Sequence, residues 1–224
     1  MKVIGRIQSP LLCCLVSLSV LSETIYSPAL PEITKSLNTE GGIAQMSSTA
    51  YFIGFALGIF TLGRISDIFG RRPVILFGVL FYSIISLLIS YSPNIEIFIT
   101  LRFFQAYGAS ISSVVAQAMI RDSYTGWELS SMFASVPIIM SATAFIGTIL
   151  GGYIVEYYNW QYIFRFLVAV SGFYLILYLF KLPETNPYIG SHSKNSFFRV
   201  VKVVLQDKVL LCYAFIVGSV NGIV

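Results

Sequence analysis

The chain predicts an all-α, multi-pass membrane protein: a bundle of six membrane-crossing helices followed by an incomplete seventh. Three observations carry that reading. Of the 224 residues, 56% are hydrophobic and only 11% are charged, whereas soluble domains carry roughly 25% charged residues. Mean hydropathy is +0.81, more apolar surface than a soluble fold can hide. The apolar residues also come in runs of about 20, the length a helix needs to cross the hydrocarbon core.

Six such runs are read in order: 11–30, 43–62, 73–91, 95–120, 129–155 and 160–180. The first follows Lys2 and Arg6 and contains "LLCCLVSLSVL", which has the look of a secretory leader. No small-x-small cleavage site follows it, and five more apolar runs do, so it is expected to stay as a helix. Pro73 suits the first turn of the third run. The fourth carries Arg102, the fifth a pair of glycines, and the sixth opens at Trp160. The expected organisation is a six-helix bundle over 1–180, a cytoplasmic linker over 181–207 and a truncated seventh helix over 208–224. Within the linker, "FFRVVKVV" is expected to lie on the membrane surface as a short amphipathic helix.

Charge sets the orientation. With the N-terminus in the cytoplasm, eleven lysines and arginines fall in inner segments and only Lys35 in an outer loop, while Arg102 and Arg165 lie within spans. Positive charge stays inside, which predicts a cell (inner) membrane protein with a cytoplasmic N-terminus. The basic residues form short clusters between apolar runs, so the net charge of +4 does not point to nucleic acid. His192 is the only histidine, and Cys13, Cys14 and Cys212 form no CxxC pair. With no metal-ligand spacing, phosphate loop or activated nucleophile in the sequence, neither a cofactor nor an enzymatic activity is expected.

The densest charge lies in "GRISDIFGRRPVILFG", residues 63–78, the turn between the second and third runs. Asp67 and Arg71 stand four apart, so one helical turn would pair them. Gly63 and Gly70 allow a bend or a close backbone approach.

Two charges fall inside spans. Glu23 and Arg102 each lie seven residues from the outer end of their run, about 10 Å deep at 1.5 Å per residue. Charged groups at such depth face a cavity or a partner. Ser19, Glu23 and Tyr26 recur at helical spacing, as do Arg102, Gln105, Ala109, Ser113 and Gln117. These stripes predict a polar lining built from Glu23, Tyr26, Arg102, Gln105 and Gln117, at a helix contact or a water-filled cavity. Gly54 with Gly58, and Gly147 with Gly151, form GxxxG pairs suited to close helix packing.

The ordered pattern G-x-x-x-D-x-x-G-R-R, here Gly63, Asp67, Gly70, Arg71 and Arg72, resembles the signature loop of the major facilitator superfamily. "IYSPALPEI" at 25–33, "LRFFQAYGAS" at 101–110, "AMIRD" at 118–122 and "LPET" at 182–185 resemble its drug/proton antiporters of the bicyclomycin-resistance type. The resemblance implies an N-terminal six-helix bundle of the major facilitator type, with the substrate held between two such bundles. It implies that the charged loop latches the two halves on the cytoplasmic side and that Arg102 is linked to proton coupling. The implied partners are protons, a drug-like small molecule, the lipid bilayer, and a second six-helix half or a second copy. The sequence departs from that branch at Thr24, where an acid is usual and Glu23 stands beside it. It departs again at Thr148, usually proline, and at Gln161, usually arginine. A metabolite or sugar transporter of the same fold, and a transport-inactive membrane remnant or interaction module, remain as alternatives.

Overall fold

A computed structural model describes residues 7, 9–186 and 206. The chain has two compact units, Met1–Gly190 and Ser191–Val224. Of the second unit only Gln206 is described, as helical and exposed. The expected seventh helix and the amphipathic "FFRVVKVV" lie outside the described residues.

The first unit is helical, with no strand among the described residues. Its helices are α1 (Ser9–Thr24), α2 (Leu30–Ser36), α3 (Gly41–Phe69), α4 (Arg71–Ile89), α5 (Ile95–Ser123), α6 (Gly126–Tyr157) and α7 (Gln161–Lys181). The first apolar run, read as one helix over 11–30, is broken. α1 stops at Thr24, a 3-10 turn covers Ser27–Ala29, and α2 continues from Leu30. Pro28 and Pro31 explain the break: neither has an N–H for the helical ladder, and each restricts the residue before it. α1, the turn and α2 together still give 27 residues apolar enough for one crossing.

Among the described residues, five helical segments are long and apolar enough to span a membrane, the first of them Pro10–Ser36; the others are α3, α4, α6 and α7. α5 is equally long at 29 residues but falls short on hydropathy. The reason lies in its position. α5 packs against α1, α3 and α4, and it buries Arg102, Gln105, Ser110 and Ser112 in the bundle. α3, by contrast, leaves Phe52, Leu57 and Phe60 exposed, and α6 leaves Ile138, Phe145 and Tyr153 exposed, as lipid-facing or partner-facing surface would be.

Two cores fill the bundle. One, at the end holding the charged turn, joins Leu15, Val79, Val115, Met119 and Tyr178. The other, at the opposite end, joins Tyr26, Phe98, Trp160, Phe164 and Leu167. Trp160 stacks edge-on to Phe98 at 5.5 Å and donates Nε1–H to Ser36 Oγ at 3.1 Å, fixing α7 against the end of α2.

The glycine pairs sit where backbones meet. A Cβ on Gly54 would lie 2.2 Å from the Phe103 carbonyl oxygen, and one on Gly58 2.0 Å from Ser110 Oγ. On α6, a Cβ on Gly147 would lie 2.3 Å from Thr24 Oγ1, and one on Gly151 2.2 Å from the Ile25 carbonyl oxygen. α3 is thus drawn onto α5, and α6 onto the end of α1. Gly63 differs, since its nearest neighbour, Val114 Cγ2, is at an ordinary 3.4 Å.

Neighbouring glycines on α6 test this packing. Gly151→Val is expected to lower stability by about 1–3 kcal/mol through overpacking. Gly152→Val, where nothing lies within 4 Å of the added carbon, is expected to change it by less than about 0.5 kcal/mol. Thermal unfolding in detergent, followed by circular dichroism, compares the two; equal losses would remove the close-approach explanation.

Candidate functional site

Arg102 occupies the middle of the bundle and is 1% exposed. It sits eight residues into α5, on the face turned toward α1 and α3. Its guanidinium lies over the Tyr26 ring at 4.2 Å and the Tyr51 ring at 4.4 Å, with Phe164 at 5.9 Å. Nη1 donates to Gln105 Oε1 at 2.6 Å, and Gln105 Nε2 donates to Ser86 Oγ at 2.8 Å. The Ser86 hydroxyl in turn donates to the Tyr82 carbonyl at 2.8 Å. Both tyrosine rings are themselves held, Tyr26 by a hydroxyl–hydroxyl bond to Ser47 and Tyr51 by donation to the Ser19 carbonyl at 3.2 Å. Arg102 Nε has no hydrogen-bond partner. Among the described residues no carboxylate oxygen lies within 4.0 Å of the guanidinium.

Arg102, Tyr26 and Tyr51 line a cavity of about 210 Å³ that Glu23, Thr24 and Thr148 also line. Glu23 is half-buried. Because α1 ends at Thr24, the chain turns away there, and both Glu23 and Thr24 reach the same space. Thr24 donates to the Val20 carbonyl at 3.0 Å. The arrangement presents one cation and one carboxylate to a shared cavity with aromatic walls. It can bind a charged small molecule and can hold a proton on Glu23.

Gln105 is fully buried behind Arg102 and orients it, without lining the cavity. Gln117 is not brought to the site: it is exposed, and its carbonyl accepts from Arg121 Nε at 3.3 Å. Gln105 and Gln117 are twelve residues apart, which separates them by about 120° around the helix. One edge of the polar stripe therefore faces inward and the other outward. Tyr51 was not singled out by the sequence. Its signal was the spacing of Tyr51, Gly54, Gly58 and Leu62, the buried face of α3.

The charged turn forms a second site at the far end of the bundle. Gly70 closes α3 and opens α4 with φ of 100°, a left-handed conformation that favours glycine. Its N–H donates to the Ser66 carbonyl at 3.1 Å. The tight reversal brings Arg71 back over the last turn of α3. Arg71 Nη1 donates to Asp67 Oδ1 at 2.5 Å and to Ser66 Oγ at 2.7 Å, while Nε donates to Asp122 Oδ2 on α5 at 3.1 Å.

The segment after α7 folds back onto the same turn. Glu184 Oε1 accepts from the Arg71 backbone N–H, and Oε2 from that of Arg72, each at 3.0 Å. A carboxylate thus caps the first turn of α4, where helix N–H groups have no partner of their own. Asn186 Nδ2 donates to the Asp67 carbonyl at 2.8 Å, and Arg72 Nη2 donates to the Leu179 carbonyl at 2.7 Å. Asp122 and Glu184 both stand in quoted motifs, yet their partners, 51 and 113 residues away, leave no local signal.

Residues 12–224 match a protein-family model described as Major Facilitator Superfamily. An "Uncharacterized transporter" of Rickettsia bellii (strain RML369-C) is 49% identical over 223 residues, covering 100% of this chain and 55% of that protein. A "Bicyclomycin resistance protein homolog" of Haemophilus influenzae is 30% identical over 162 residues, 72% of this chain and 41% of that protein. The chain spans about half the length of the curated relatives it matches. Among solved structures, the human organic anion transporter MFSD10 (TETRAN) shares the fold with a TM-score of 0.63 at 19% identity, over 79% of this chain and 47% of that one.

The two carboxylates on Arg71 differ in exposure. The Asp122 side chain is 20% exposed and that of Asp67 62%. Asp122→Asn is expected to cost about 1–3 kcal/mol by removing the less exposed of the two negative charges on Arg71, and Asp67→Asn less than about 1 kcal/mol. Denaturant titration of the two variants measures the order; a larger loss at Asp67 would reverse the ranking.

Proposed function

The chain belongs to the Major Facilitator Superfamily, and on that basis we propose that it forms the N-terminal half of a transporter exchanging a small molecule for protons across the cell membrane. In this reading the N-terminus faces the cytoplasm, which the distribution of lysine and arginine supports. A second six-helix half, or a second copy, supplies the other wall of the path and covers the exposed apolar faces of α3 and α6. We read the direction as efflux and the cargo as drug-like, in line with the bicyclomycin-resistance relative.

The observation that carries the coupling is the buried Arg102, held by Tyr26, Tyr51 and Gln105 and facing Glu23 across a cavity. A fixed cation opposite a carboxylate makes that carboxylate sensitive to whatever else enters the space. Glu23 takes up a proton from one side of the membrane and loses it on the other, and substrate occupancy changes with it. The charged turn serves as the hinge-side anchor, keeping α3, α4, α5 and the exit of α7 as one body while the halves move.

The test is drug accumulation and resistance in an efflux-deficient host carrying this chain, alone and co-expressed with the second half of a close relative, against Arg102→Ala. Efflux that collapses with the proton gradient and falls by at least about tenfold in the variant is expected, the scale of one lost buried charge partner. Efflux unaffected by the gradient or by the substitution would overturn the reading.

A further inference from the structure

Glu23 and Arg102 face one cavity without touching, and that gap is what remains unexplained. A buried charge is costly unless it is paired or hydrogen-bonded. The guanidinium is held by two tyrosine rings and by Gln105, and among the described residues no carboxylate oxygen lies within 4.0 Å of it. Glu23 sits on the last turn of α1, which the close approach of α6 at Gly147 and Gly151 fixes in place. Arg102 Nε points to no acceptor although it is fully buried.

We propose that this cavity seats a zwitterionic group of amino-acid size, its carboxylate on Arg102 and its ammonium on Glu23. The inference rests on the transport reading above and adds to it the chemical class of the cargo. A guanidinium offers a planar fork of N–H donors matched to a carboxylate. An ammonium, a compact cation with three donors, suits a single carboxylate. The phenol rings of Tyr26 and Tyr51 and the ring of Phe52 line the space between and suit an aliphatic or aromatic side chain. The space that this chain's residues bound measures about 210 Å³.

The pairing also gives exchange its sign. Glu23 holds either the ammonium or a proton. A proton arriving on Glu23 removes the ammonium's counter-charge and releases the substrate, and substrate binding expels the proton. The ionisable groups facing Glu23 across the cavity are Arg102 from α5, Tyr51 from α3 and Tyr26 from the turn after α1. α6 contributes the neutral Thr148.

The experiment uses the 224-residue chain in lipid nanodiscs and three probes: L-leucine, its decarboxylated analogue 3-methylbutylamine, and its deaminated analogue 4-methylpentanoate. Calorimetric titration and thermal shift read the binding. Leucine is expected to bind, and each one-charge analogue to bind about thirtyfold more weakly, as loss of one buried charge contact predicts. Glu23→Gln is expected to bring leucine down to the level of 4-methylpentanoate, and Arg102→Gln to that of 3-methylbutylamine. Circular dichroism checks that both variants fold, and the wild-type probe series stands without them. Equal binding of leucine and either analogue, or no binding of any probe, overturns the proposal. Gradient-driven drug efflux without leucine binding would discard the zwitterion and keep the transporter. Leucine binding without gradient-dependent flux would do the reverse.

Discussion

Arg102 carries a charge that an apolar bundle makes costly to bury, roughly 2.5–3.5 kcal/mol at the centre of a membrane helix. Its surroundings are arranged to offset that. Two tyrosine rings contribute about 0.5–2 kcal/mol each as cation–π partners, and the bond to Gln105 adds about 1.5–3 kcal/mol as a hydrogen bond to a charged group. Those partners come from different elements: Tyr26 from the turn after α1, Tyr51 from α3, and Gln105 from α5 itself, braced by Ser86 of α4. The charge therefore draws α1, α3 and α4 around α5. The close helix contacts at Gly54 and Gly58 serve the same end, bringing α3 near enough for Tyr51 to reach the guanidinium.

The far end of the bundle solves a different problem. A reversal between two long helices leaves unpaired N–H groups at the start of α4 and several cations crowded together. Glu184 answers both, its two oxygens taking the N–H groups of Arg71 and Arg72 from a segment that follows the last helix. Arg71 meanwhile ties α3 to α5 through Asp67 and Asp122. Arg71 and Arg72 thus find acceptors on α3, α5 and α7. Gly70 makes this possible, because only a residue tolerant of positive φ lets Arg71 fold back over the helix it has just left.

Much of this architecture was legible because hydropathy adds up along a chain without reference to distant partners. Long apolar runs declare crossings, and the low charge content places them in a membrane. Where the reading slipped, a local or a distant force intervened. The first run is apolar through Leu30, and hydropathy alone does not register that Pro28 and Pro31 end the hydrogen-bond ladder at Thr24. α5 is the least apolar long helix because it is the inner one, and its polarity is a record of its neighbours. The stripe from Arg102 to Gln117 looked continuous, yet its two edges lie about 120° apart, and only contact with α1, α3 and α4 decides which edge is buried. Tyr51, Asp122 and Glu184 act on residues 51 to 113 positions away, a relation no short window of sequence holds.

The acid at 23, one position before Thr24, belongs to the same packing. α6 approaches α1 so closely at Gly147 that a single added carbon there would meet Thr24 Oγ1 at 2.3 Å. The branched, short threonine fits that contact and satisfies its hydroxyl on the Val20 carbonyl. Thr24 lines the cavity as well, so positions 23 and 24 both open onto the space that Arg102 faces. At 23 the side chain points to the open side of the last turn and meets the cavity. A shift of one position, about 100° on an unbroken helix, costs the acid little here because the helix ends at the next residue. Glu23 thus faces the space that Arg102 faces, on a last turn held against α6 at Gly147 and Gly151.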